Sequence, residues 1–152
     1  MINQIQNFLS GIRNIYESLG FKPEVGEIIK KEKDFKANEI SAIIGFVGDF
    51  SGQVYVSIDI TTAMNLTTVL LGGMEVNEVD ELVLSAVGEF LNMIMGNASI
   101  AFSEKGVMLD IAPPTVVVGE NVIFTNKMLN YQILVESVDL GKIIFDIAIK
   151  DE

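Results

Sequence analysis

The sequence predicts an α+β fold, a mainly antiparallel sheet packed against long helices. Apolar residues recur at helical spacing in two segments, one at the N-terminus and one across the middle of the chain. Between and after them lie β-branched runs with period-two alternation, joined by short turns rich in Gly and Asp. The resulting order is helix, strands, helices, strands, an α+β layout with the long helix lying on the sheet.

The elements follow in chain order. Residues Asn3 to Leu19 form a first helix, with Ile5, Phe8, Leu9, Ile12, Ile15, Tyr16 and Leu19 on one face, stopped by Gly20 with Pro23 just beyond. Glu24 to Lys31 reads as an edge strand, and Lys30 to Lys36 as a polar connection. Ile40 to Val47 and Gln53 to Ile58 form a hairpin around the turn Gly48-Asp49-Phe50-Ser51-Gly52. Thr61 is the expected N-cap of a short helix that ends at Gly72-Gly73. A long helix begins near Asn77 to Asp80, with an acidic first turn that suits the helix dipole, and runs to about Ser103, where Gly106 ends it. Pro113-Pro114 leads into a strand from Thr115 to Val118. Tyr131 to Val138 and Lys142 to Lys150 are two further strands, joined by the tight turn Asp139-Leu140-Gly141. At 152 residues the whole chain, 1–152, is expected to be a single domain. A chain of that size buries about 70% of its unfolded surface and needs no disulfide or metal to fold.

Composition removes several classes of function. With 10 basic and 21 acidic residues the net charge is −11, so nucleic acid and anionic membrane surfaces are disfavoured as partners. No Lys or Arg occurs between Lys36 and Lys105, a stretch that holds nine acidic residues, and a partner rich in Lys or Arg would be steered to it. The chain has no histidine and no cysteine, which removes Ser-His-Asp and Cys-His catalysis, HExxH zinc sites and disulfides. No Gly-rich phosphate loop is present. Charged residues interrupt the apolar stretches before they reach the length of a membrane span, and the N-terminus reads as an amphipathic helix and not as a signal peptide. The expected location is cytoplasmic.

Within the long helix, Glu81, Ser85, Gly88, Glu89, Asn92, Gly96, Ser99 and Ser103 recur at steps of three and four. They fall within about 60° of one line along the helix. The opposite side, Val83, Val87, Phe90, Ile94, Ala98 and Ala101, is the expected core face. A merely solvated helix would carry Lys, Arg and long Glu side chains on its outer stripe. Here glycine and serine predominate, with a carboxylate and an amide near the middle, and small residues let another surface approach. Ser85, Gly88, Gly96 and Glu81 are the candidate partner contacts. Glu89 and Asn92 are the candidate functional pair.

The segment Ser85-Ala86-Val87-Gly88-Glu89-Phe90-Leu91-Asn92, followed by Gly96 and by Pro113-Pro114, resembles the active-site signature of the CheC/CheX/FliY chemotaxis phosphatases. In that signature Ser or Asp stands four residues before Glu, Asn follows three later, and Pro comes some twenty residues on. Pro114 falls about one residue short of that spacing. The strand Gly52 to Ser57, the turn Leu70-Leu71-Gly72-Gly73 and Asp80-Glu81 extend the likeness over roughly Ile40 to Val118. Only one such helix is evident, so the resemblance is nearer to CheX than to the two-site CheC type.

The resemblance implies hydrolysis of the aspartyl phosphate on a CheY-type response regulator. An acyl phosphate is already activated, so the reaction needs a positioned water and no enzyme nucleophile. A carboxamide at Asn92 suits that task, accepting from water through its oxygen and donating to a phosphoryl oxygen through its NH₂. Glu89, one turn away, suits pairing with a basic residue of the partner. The chain would need no cofactor or metal of its own, magnesium arriving with the phosphorylated response regulator. Two other readings remain: a non-catalytic module that docks on a receiver domain or flagellar switch protein through the same helix, and a phosphatase serving a response regulator outside chemotaxis. A homodimer is expected, by the resemblance and because the apolar strands near the C-terminus would leave an open edge if unpaired.

Overall fold

A computed structural model describes residues 2–31 and 34–150. The described chain runs α1 (Ile2–Ser18), β1 (Glu24–Lys31), β2 (Asp34–Lys36), β3 (Ile40–Gly48), β4 (Gly52–Ile58), α2 (Ile60–Leu70), α3 (Glu81–Ser103), β5 (Leu109–Ile111), β6 (Thr115–Val118), β7 (Ile123–Thr125), β8 (Leu129–Ser137) and β9 (Gly141–Ile149). The α+β expectation holds. Every pairing is antiparallel. Seven strands form one sheet in the order β1-β8-β9-β4-β3-β5, with β6 also pairing β3. The short β2 and β7 form a separate two-stranded ribbon, and both were missed by the sequence reading. Of the expected polar connection, Glu32 and Lys33 lie outside the described residues.

Period-two alternation decides which face is core. Ile40, Ala42, Ile44 and Phe46 of β3, Val54, Val56 and Ile58 of β4, and Ile143, Phe145, Ile147 and Ile149 of β9 are all buried under the helices. The opposite face is more polar. There Asp146 is fully buried and accepts from Asn130 Nδ2 at 3.0 Å and Gln132 Nε2 at 3.1 Å. Beside it Tyr55 and Ala148 pack with Phe35 and Phe124 of the two-stranded ribbon.

Two expectations need correction. The cap of α2 is Asp59, whose carboxylate accepts from the backbone N–H of Thr62 at 2.7 Å; a carboxylate there also favours the positive helix end, and Thr61 lies inside the first turn. The two long apolar strands near the C-terminus are not edges. β9 lies between β4 and β8, and β8 lies between β9 and β1, so both are apolar because they are interior. The edges are β1, as expected from its weak alternation, and, at the other end of the sheet, the short β5 and β6 beside β3.

The long helix α3 lies over the sheet between α1 and α2. Asp80 caps it, accepting from the N–H groups of Leu82 and Val83 at 3.0 and 3.3 Å. At its other end Gly106 takes φ of +79°, a backbone state that suits glycine, and the chain turns toward β5. Among the described residues α3 alone is long and apolar enough to cross a membrane, and its apolar side is accounted for by burial against its own chain.

Candidate functional site

Burial separates the two sides of α3 nearly as the periodicity predicts. Val83, Val87, Phe90, Ile94 and Ala98 are buried, joined by Ala86, Leu91, Met95 and Phe102, whereas Ala101 is only half-buried. Phe90, next to Glu89 in sequence, turns into the core and packs edge-on against Tyr16 at 5.6 Å between ring centroids. Phe102 anchors the C-terminal end against Phe8 and Phe50, at 5.1 and 5.4 Å. Tyr16 has its hydroxyl buried without a hydrogen-bond partner, and burial raises its pKa. Gly11 of α1 allows the two helices to touch, since a Cβ there would stand 2.7 Å from the carbonyl oxygen of Ile94. Asn14 of α1 also donates to Asn97 Oδ1 at 2.9 Å. The backbone that carries the outer stripe is thus held from below along its length.

On the outer side, Glu81, Ser85 and Glu89 are exposed, and Asn92 and Gly96 are half-exposed. Glu89 and Asn92 are one helical turn apart, about 5–6 Å between Cβ atoms. Among the described residues, neither side chain makes a hydrogen bond or ion pair. This sets Asn92 apart from Asn97, which is tied to Asn14, and from Asn130, which is tied to Asp146. A Cβ placed on Gly96 would meet nothing within 4 Å, so its surroundings are open. Ser99 and Ser103 are spent locally, donating to the carbonyls of Leu109 at 3.4 Å and Ile100 at 2.9 Å.

Gly88 departs from the expectation of an exposed position. It is buried, and a Cβ there would lie 3.3 Å from Val116 Cγ2 and 3.4 Å from Pro114 Cγ. Its missing side chain makes room for the chain's own β6 and not for a partner. Pro114 and Val116 thereby reach α3 one residue before Glu89. Only Pro114 had been singled out in the sequence, as a spacing without a contact. Leu82 and Ile100 were also missed. Both are exposed, at 55% and 60%, and both lie in phase with Glu89, at seven and eleven residues from it. The acidic residues around the start of α3 do not gather into a set of three or more that could hold a metal ion, among the described residues.

The model of the chemotaxis phosphatase CheX family matches residues 40–136, a span that takes in β3 through α3 to β8. The chain belongs to the CheX family. The CheY-P phosphatase CheX of Thermotoga maritima is 34% identical over 122 residues, covering 78% of this chain and 77% of that one. A solved CheC-like superfamily protein from Shewanella sp. PV-4 superposes with a TM-score of 0.86 at 25% identity, covering 99% of each chain. The CheX of a CheX–CheY–BeF₃–Mg²⁺ complex from Borrelia burgdorferi superposes with a TM-score of 0.83 at 25% identity, covering 99% of this chain and 100% of that one.

Proposed function

We propose that the chain hydrolyses the aspartyl phosphate of a CheY-type response regulator, acting in the cytoplasm as one domain. The observation that carries this reading is the Glu89–Asn92 pair, outward-facing on a rigidly backed helix and free of intramolecular partners. Asn92 holds the attacking water in line with phosphorus, its oxygen accepting from the water and its NH₂ donating to a phosphoryl oxygen. Glu89 pairs with a Lys or Arg of the receiver domain and sets the register of docking. Phosphate and Mg²⁺ both come with the substrate. The curated Thermotoga relative, a CheY-P phosphatase by name, and the Borrelia CheX–CheY complex support the substrate class.

The protein works as a homodimer on this reading. Of the two sheet edges, the longer continuous strand is β1, whose Ile28 and Ile29 are exposed and whose ladder to β8 is regular over 28–31; the other edge is split between the short β5 and β6. Light scattering at micromolar concentration should give twice 16.6 kDa, and a monomer mass would rule the dimer out.

The test of function is to charge a panel of receiver domains, from chemotaxis and from other pathways, with a small phosphodonor. Loss of phosphate should accelerate for a chemotaxis CheY. Acceleration only outside chemotaxis would reassign the pathway, and binding without acceleration would leave a docking module.

A further inference from the structure

The stripe on α3 does not end at polar and small residues. Leu82 lies within about 20° of Glu89 around the helix and about 10 Å from it along the axis. It is 55% exposed, and Met74 and Leu71 of the preceding connection are 61% and 36% exposed. These three, with Val76, line a shallow depression of about 270 Å³ whose rim carries Glu75 and Glu78. Three large apolar side chains are therefore gathered at the N-terminal end of the stripe that carries the functional pair, and all three are exposed.

We infer that this depression is a second docking point for the receiver domain, taking an apolar side chain that stands beside a Lys or Arg. The inference rests on the phosphatase reading and extends its contact surface. The occupant follows from charge. No Lys or Arg lies between Lys36 and Lys105, and the rim is acidic, so an incoming surface gains by carrying cations. A second copy of the chain is the wrong partner for this patch. Two copies meeting across a two-fold axis at this patch would set the Glu75 and Glu78 of one against those of the other, acid against acid. The apolar centre supplies affinity that salt does not screen, and the rim supplies steering and discrimination. Leu82 and Met74 would thus set which receiver domain is accepted, while Glu89 and Asn92 act at the phosphate.

The test is an anisotropy titration of a CheY receiver domain charged with beryllofluoride and Mg²⁺, run with full-length protein at low and high salt, alongside a turnover assay. Leu82→Ala with Met74→Ala should weaken binding about ten-fold or more at both salt concentrations and raise KM in step, with kcat within about two-fold. Leu82→Met should stay within about two-fold of wild type, because it keeps the apolar volume. Glu75→Gln with Glu78→Gln should weaken binding at low salt only. Val138→Ala, at a fully exposed apolar residue outside the depression, should change nothing. Unchanged affinity in the Leu82/Met74 double variant overturns the inference, and so does a wild-type self-association that the double variant abolishes. Wild-type binding without hydrolysis overturns the phosphatase reading alone. No wild-type binding to any charged receiver overturns both.

Discussion

Gly88 and Gly96 sit two turns apart on one stripe, yet the structure gives them opposite roles, and leucine at each position should report it. A leucine in place of helical glycine gains about 0.8 kcal/mol of helix propensity. At Gly96 nothing lies within 4 Å of the new Cβ, so the gain stands and stability rises by about that amount. At Gly88 the Cβ alone would already stand 3.3 Å from Val116 and 3.4 Å from Pro114, at a buried position, so a longer side chain must displace its neighbours. Overpacking costs about 1–3 kcal/mol, and three further carbons against a proline and a sheet strand call for its upper end. The net is a loss of about 2 kcal/mol at Gly88 and a difference of about 3 kcal/mol between the variants. With a urea m-value of about 1–3 kcal/mol/M the two midpoints should separate by about 1–3 M. Binding of a charged receiver should behave inversely: Gly96→Leu stays folded but binds worse, because a partner backbone can no longer come close. Coincident unfolding midpoints for the two leucine variants would refute the packing of β6 on Gly88.

Tyr16→Phe should raise stability by about 1 kcal/mol in urea unfolding, because its buried hydroxyl has no partner to lose. Asp146 has its pKa raised by burial, which outweighs the amide bonds from Asn130 and Gln132 and the nearby Lys31 charge. The folded state therefore holds this proton more tightly than the unfolded one. Its contribution is greatest below the ordinary value of 3.8, declines as pH rises through the raised folded value, and stays low above it. Asp146→Asn should remove that decline, so unfolding midpoints measured from pH 4 to 8 should show the variant gaining on wild type as pH rises. Glu89→Ala should weaken receiver binding and turnover together, and high salt should bring wild type and variant closer together.

The sequence made the helix α3 legible because one side of it is continuously apolar and its ends carry an acidic cap and a glycine. Its outward pair was legible for the same reason, since Glu89 and Asn92 interrupt an apolar stretch at a spacing that places them together. Gly88 was misread because a small residue has two uses, admitting a partner or admitting the chain's own strand. Only the non-local contact with Pro114 and Val116 separates them. β8 and β9 read as edges in the sequence for a related reason. An apolar strand can be an exposed hazard or an interior strand, and strand order is a long-range property that periodicity does not carry. Leu82 and Ile100 escaped because an apolar residue in a helix is read as core by default, although their phase matched Glu89. The ribbon of β2 and β7 consists of three-residue strands, too short for any alternation to register.

The proposed hydrolysis turns on Asn92 as the group that positions water. The most direct measurement is phosphate release from a saturating concentration of the phosphorylated receiver domain, comparing wild type with Asn92→Ala. Alanine is a better helix former than asparagine and the side chain has no intramolecular partner, so far-UV CD should be unchanged. Turnover should fall by a factor on the order of 10² or more, with a smaller change in binding. Wild-type turnover from the folded Asn92→Ala protein would contradict the mechanism.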